Sequence, residues 1–438
     1  MTRPIRKLPA EEAWREAFAG FSAPALAWLQ PQKAEAFARL QTLGLPTPRT
    51  ENWRWSEIHR HLNAPYPPLA PERAMECAPA DDEIRALLDE HLLTAADASV
   101  LVFVNGVFSA AHSRLMEEEG VEILPLSAAA VAPDWADLTP ADDDAFDMLN
   151  LAYATDGALI RVRAGVEASI PLLVVNVSTG EGHSVHLRHF VRVEEGASFT
   201  LYEAQLGGGD HVANVSTRVI VHENAGLTRV QVNQKDERAI HFGRLDADVH
   251  AHARLHDTAL LTGGRYHRQN THVDFAGEYA EIVTNSACLL RNRQHADTRL
   301  RVNHAKAHCV SRETFKCVMD DHARGAFQGL IHVAPGASGT DGRMAAHGLL
   351  LGEMAEFDAK PELEIFHDDV ACAHGSTVGA LDEEQLFYLR ARGVTARRAR
   401  AMLVAAFVAE VFDDIADERV REALTDYAER WLAGEGAA

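Results

Sequence analysis

The stretch Ile160-Arg-Val162-Arg-Ala-Gly165 returns in altered form as Val191-Arg-Val193-Glu-Glu-Gly196-Ala-Ser-Phe199, as Val219-Ile-Val221-His-Glu-Asn-Ala225-Gly-Leu227 and as Val249-His-Ala-His-Ala-Arg-Leu255. Their starts lie 31, 28 and 30 residues apart. Each copy alternates apolar and polar residues with period two, the pattern of a strand with one buried face, and most then turn on small residues. A repeat near 30 residues with no helical stretch inside it predicts stacked coils, each burying a strand face against the next rung. The expected fold is mainly β, a right-handed parallel β-helix over residues 156–379, rather than alternating strands and helices. A β-sandwich is the structural alternative, though a large one for so many short strands.

Helices are expected on both sides of this core. Residues 1–97 read as an N-terminal helical domain, with helix candidates at Glu11–Phe21, Pro24–Leu29 and Pro31–Leu43, the last stopped by Gly44 and Pro46. Residues 98–155 read as a connecting segment that holds a strand candidate, Val100–Phe108, turning at Asn105-Gly106. Residues 114–156 carry 11 acids and one Arg, which predicts a solvated, partly mobile surface. Residues 380–438 read as a C-terminal helical domain. Its first helix begins with acids at Asp382 and ends with Arg390, Arg392 and Gly393, the order that suits the helix dipole and a glycine cap.

Composition narrows the function. With 42 basic against 64 acidic residues the net charge is −22, which argues against nucleic acid as a partner. No uncharged run reaches membrane-spanning length. The Met1–Lys7 segment has no apolar stretch of a signal peptide, and five cysteines without a C-x-x-C spacing argue against a disulfide framework, so a cytoplasmic protein is expected. None of the six lysines precedes Ser or Thr, which excludes a Walker A loop, and no H-E-x-x-H, G-x-S-x-G or EF-hand pattern occurs. Of 23 histidines, 19 fall between His183 and His374. The alternation of His250, His252 and His256 with Ala and Leu predicts one outward strand face, a solvated ladder more than a metal site, and His183, His186 and His189 are read likewise. Cys372 and His374, two apart and so on one strand face, pair a soft thiolate with an imidazole, donors suited to iron, zinc or copper. Two ligands do not close a site, and a packed cysteine beside a structural histidine is the other reading.

Three blocks around this pair carry a resemblance: Pro361-Glu-Leu-Glu-Ile365, Asp369-Val370-x-Cys372-x-His374-Gly375-x-Thr377-x-Gly379, and Asp382-Glu-x-Gln385-x-Phe387-Tyr-Leu389-x-x-Arg392-Gly393. They resemble the C-terminal signature of the SufB/SufD family, scaffold subunits of the SUF iron–sulfur assembly machinery. Phe327-x-Gly329-x-Ile331, Thr340-Asp-Gly and Glu51-x-Trp53-Arg54-Trp55 extend the likeness toward the whole chain. SufB-type chains carry a Cys shortly after a Leu-x-x-Gly turn; here Leu349–Gly352 is followed by Glu353-Met-Ala355, and the chain is identified with the SufD-like branch.

The resemblance implies a non-catalytic scaffold subunit that pairs with SufB through the β-helices, or with a second copy when alone. It implies a SufC ATPase bound on the C-terminal helices, with Phe387, Tyr388, Arg390, Arg392 and Gly393 as the docking surface. It further implies that His374, and to a lesser degree Cys372, meets a transient iron–sulfur cluster at the SufB interface. No permanently bound cofactor is expected; a reduced flavin is the alternative, and no motif supports one. Two other classes stay open on the residues alone: a β-helix carbohydrate-active enzyme and a histidine-rich metal-binding solenoid.

Overall fold

The computed structural model describes residues 8–433, so the Met1–Lys7 segment lies outside the described residues. Between Ser99 and Gly379 the chain forms two facing sheets of ten and nine strands. Within each sheet a strand pairs in parallel with the strand two further on in sequence, so every coil lends one strand to each sheet. This is a β-solenoid, as the repeat predicts. In register, Ile160 lies opposite Val191 and Val191 opposite Val219. Val219 then meets Ala247, so the fourth copy in the sequence comparison is two residues late; a slip of two keeps the same faces in and out.

Apolar side chains between the sheets form a continuous lumen core from Leu101 and Phe103 to Met344 and Ala346. The outer face of the ten-stranded sheet is covered by C-terminal helices, with Val404, Val408, Phe412, Leu424 and Trp431 over Val230, Leu260 and Leu289. N-terminal helices and the helix Ala145–Tyr153 cover the nine-stranded sheet over Phe190, Ile240 and Phe242. Hydrophobic burial thus runs in three layers across the solenoid.

Two expectations are corrected here. His250 and His252 do not sit on a strand, because the preceding strand ends at Val249 and the next begins at Arg254. They occupy a corner where His252, Tyr279 and His308 on successive rungs take left-handed φ values of 55°, 58° and 59°. Each donates its N–H to a carbonyl of the next rung, which offsets the backbone cost, and the rings stack at 5.2 and 4.7 Å. His183, His186 and His189 are buried rather than solvated, and burial lowers their pKa values, to about 3 for His186 and about 4 for His189.

The acidic segment is also built into the fold. Asp144 caps the helix Ala145–Tyr153 by accepting from the N–H groups of Phe146 and Asp147, and every residue of that helix is buried. Asp147 binds Arg188 at 2.5 Å inside the protein, and Asp156 accepts from Ser127, Gly157 and Phe108. The strand Val121–Pro125 of this segment, and Ser99–Val104 upstream of it, join the sheets at their N-terminal end. No helix among the described residues is long and apolar enough to cross a membrane.

Candidate functional site at the open end of the solenoid

At its N-terminal end the solenoid is closed by antiparallel strands. The opposite end has no such closure among the described residues: Glu356–Ile365 and Val370–Gly379 are the last strands of their sheets, each paired on one side only. The hydrogen-bonding edges and the inward side chains of this rung are open, and Ile365, Phe366 and Val378 are exposed.

Register fixes where the candidate donors point. Met344 is buried in the lumen and lies opposite His374, while Gly342 lies opposite Cys372. Cys372 and His374 therefore stand on the inward face of the last rung, roughly 7 Å apart along the strand. The Cys372 side chain packs partly against the lumen core, and burial raises its thiol pKa. His374 is exposed. The structure thus brings the two residues together at the mouth of the lumen, one packed and one free. No group of three or more His, Cys, Asp and Glu among the described residues is placed to hold a metal ion, and two donors alone do not close a site.

The second candidate surface lies directly after this strand. Asp382 caps the helix Glu383–Ala391 through the N–H groups of Glu384 and Gln385. Phe387 is 75% and Tyr388 55% exposed, a large apolar surface for one short helix. Phe387 thus faces solvent and not the solenoid. The Arg392 guanidinium lies 4.4 Å over the Tyr388 ring. Arg390 is exposed, and Gly393 takes φ 88° where the chain turns into the helix Ala396–Ala409. All five proposed docking residues therefore share one exposed helix end.

The lumen holds polar groups that the sequence reading passed over. Arg229 is buried between Glu203 at 3.0 Å and Asp257 at 2.7 Å, one residue from each of three successive rungs. Cys288 and Cys317 face one another in register with no exposure, and burial beside Cys288 raises the Cys317 thiol well above its usual value. Glu313, also buried, stands one rung before Met344 in the column that ends at His374. The available signal was the period: Arg229 and Asp257, Cys288 and Cys317, lie one repeat apart.

Comparison with known proteins agrees with this architecture. Residues 176–407 match the SUF system FeS cluster assembly, SufBD core domain, and residues 12–174 match the SufBD protein N-terminal region. The iron-sulfur cluster assembly protein SufD of Escherichia coli K12 is 32% identical over 399 residues, 90% of each chain. The Bacillus subtilis protein of the same name is 25% identical over 92% of this chain and 94% of its own. An iron-sulfur cluster assembly SufBD family protein of Synechocystis is 26% identical over 86% and 85%. Ala355, just after the Leu349–Gly352 turn, is buried against the lumen. The core-domain match over more than half of the chain, with a relative aligned along nine-tenths of it, places this protein in the SufBD family, whose work is iron–sulfur cluster assembly.

Proposed function

We propose that this chain is the SufD-like half of a cytoplasmic assembly scaffold, pairing with SufB through its last two strands and carrying SufC on its first C-terminal helix. The observation that supports the pairing most is the open rung: two ten-residue edge strands with exposed Ile365 and Val378 beside an exposed His374. Unpaired strand edges of that length drive association unless covered, so a partner solenoid is the natural continuation, and a second copy takes its place when SufB is missing.

The cluster is cargo in this reading. His374 offers one imidazole at the shared mouth, and SufB cysteines supply the soft thiolates that iron–sulfur clusters require. Cys372 contributes less, because its thiol is packed and burial disfavours the thiolate. A site split across two chains opens when the chains shift, which suits a scaffold that must release what it builds. ATP hydrolysis belongs to SufC, whose closure would pull on the helix bearing Phe387, Tyr388, Arg390, Arg392 and Gly393. Arginine forks beside exposed aromatics suit such a surface. The chain itself performs no catalysis and keeps no resident cofactor.

The test is complementation of a strain lacking this subunit with the double variant Ile365→Lys and Val378→Lys. Both positions are exposed, so the variant should fold and fail to retain SufB, and growth under iron limitation should be lost. Full growth with SufB still co-purifying would remove the open rung from the account.

A further inference from the structure

Inside the lumen, behind the open end, lies a cavity of about 20 Å³, room for one water-sized occupant. It is lined by Asp257, Thr284, Ser286 and Glu313 from one sheet and by Gln269 and Thr298 from the other. Glu313 is 2% exposed, and neither of its carboxylate oxygens has a hydrogen-bond partner among the described residues. The Ser311 hydroxyl, which approaches it, is held by His304 Nε2 at 2.9 Å. The hydroxyls of Thr284, Ser286 and Thr298 are also buried without partners among the described residues.

These unpartnered atoms are all oxygens. A single water donates two hydrogen bonds and accepts two, so it cannot satisfy two carboxylate oxygens and three hydroxyls that do not reach one another. A cation can, because it binds lone pairs and needs no donor. Charge points the same way. Arg229 balances one of Glu203 and Asp257, so an ionised Glu313 leaves this stretch of lumen with two uncompensated negative charges. Burial pushes the Glu313 carboxyl up to about 8, so without a counterion it holds a proton at neutral pH, and a bound cation would exchange for that proton.

We propose that the cavity binds a single dehydrated alkali cation, held by Glu313 and the hydroxyls of Thr284, Ser286 and Thr298. The donor set excludes the alternatives on chemical grounds. Transition metals favour imidazole or thiolate, and Mg²⁺ keeps waters for which this volume has no room. One carboxylate among neutral oxygens is a set for Na⁺ or K⁺. The ion bridges the two sheets beneath the last rungs, roughly 10 Å from His374 along the same inward column, two strand spacings away. It would hold the mouth of the lumen in shape without touching the cargo.

The experiment has two readouts on the full chain. Crystals soaked in RbCl should show an anomalous peak between Glu313 and Thr298, and the Tm should climb with KCl or NaCl but not with choline chloride at equal ionic strength. Glu313→Gln, nearly isosteric, should lose both the peak and the cation-specific rise. Should that variant not fold, Thr298→Val is expected to move the half-maximal salt concentration upward. A lumen without an anomalous peak, with the same Tm in all three salts, overturns the proposal.

Discussion

Replacing His374 by alanine separates chemistry from folding, provided its neighbour in the column is replaced as well. His374 is exposed on an edge strand, so deleting its ring should change stability by no more than about 0.5 kcal/mol. Met344, the residue opposite it one strand inward, is 3% exposed. Its side chain fills the space left by Gly329, where an added Cβ would stand only 2.2 Å from the Met344 sulfur. Met344→Ala removes that filling from the lumen, and large-to-small changes of this kind cost about 2–5 kcal/mol. Against a typical net stability of about 5–15 kcal/mol, the second variant should still fold at 25 °C but melt measurably earlier. Urea unfolding of both variants, followed by cluster reconstitution with SufB and SufC, provides the comparison. His374→Ala should match the parent in unfolding midpoint and fail to build cluster; Met344→Ala should lose stability and keep much of its assembly activity while folded. The reasoning fails if His374→Ala assembles cluster at the parental rate, or if its midpoint drops as far as that of Met344→Ala.

Three further expectations follow from the geometry. Asp147→Ala strands the buried Arg188 guanidinium, which then keeps only Asn150 Oδ1 and the Leu138 carbonyl, and should cost about 3–5 kcal/mol in urea unfolding; a loss under 1 kcal/mol would mean that the pair is relaxed in solution. Burial holds His61, His186, His267 and His295 near about 3 and His189 and His304 near about 4, below the unfolded value of 6.5. The unfolded chain therefore takes up more protons below pH 6.5. Stability present above that pH should fall as it drops toward 4, by about 1.4 kcal/mol per pH unit for each such ring; circular dichroism that stays flat from pH 7 to 4.5 would contradict this. On the C-terminal helix, the pair Phe387→Ala and Tyr388→Ala should weaken SufC binding by calorimetry with no change in Tm, because both side chains are exposed; unchanged affinity would place SufC elsewhere.

The solenoid was legible because its repeat and its alternation act locally: each strand must bury one face, and that requirement is visible within ten residues. Helix ends were legible for the same reason, as with Asp382 and Gly393. The long-range pairings were not. Asp147 looks like a solvated acid until Arg188, 41 residues away, folds onto it, and Asp144 until Arg244 and Asn270 reach it. His252 looked like a strand residue because alternation continues through the corner, where ring stacking and a rung-to-rung N–H bond sustain a left-handed backbone. Truncation at Gly379 would remove the proposed SufC surface but also strip the helices that cover Val230, Leu260 and Leu289, so substitutions on the exposed helix are the better probe. Cys372 and His374 were legible as a same-face pair, but their position at an unpaired end depended on where the rungs stop.

The central claim is that the last two strands are an interface. Amide hydrogen exchange followed by mass spectrometry, on the chain alone at dilution that keeps it monomeric and then with SufB, reads it directly. The edges Glu356–Ile365 and Val370–Gly379 should exchange quickly alone and become strongly protected in the complex, with the preceding strands Arg324–Val333 and Thr340–Leu350 protected in both. Protection confined to any other surface, with these two strands exchanging as fast in the complex as alone, would contradict the account.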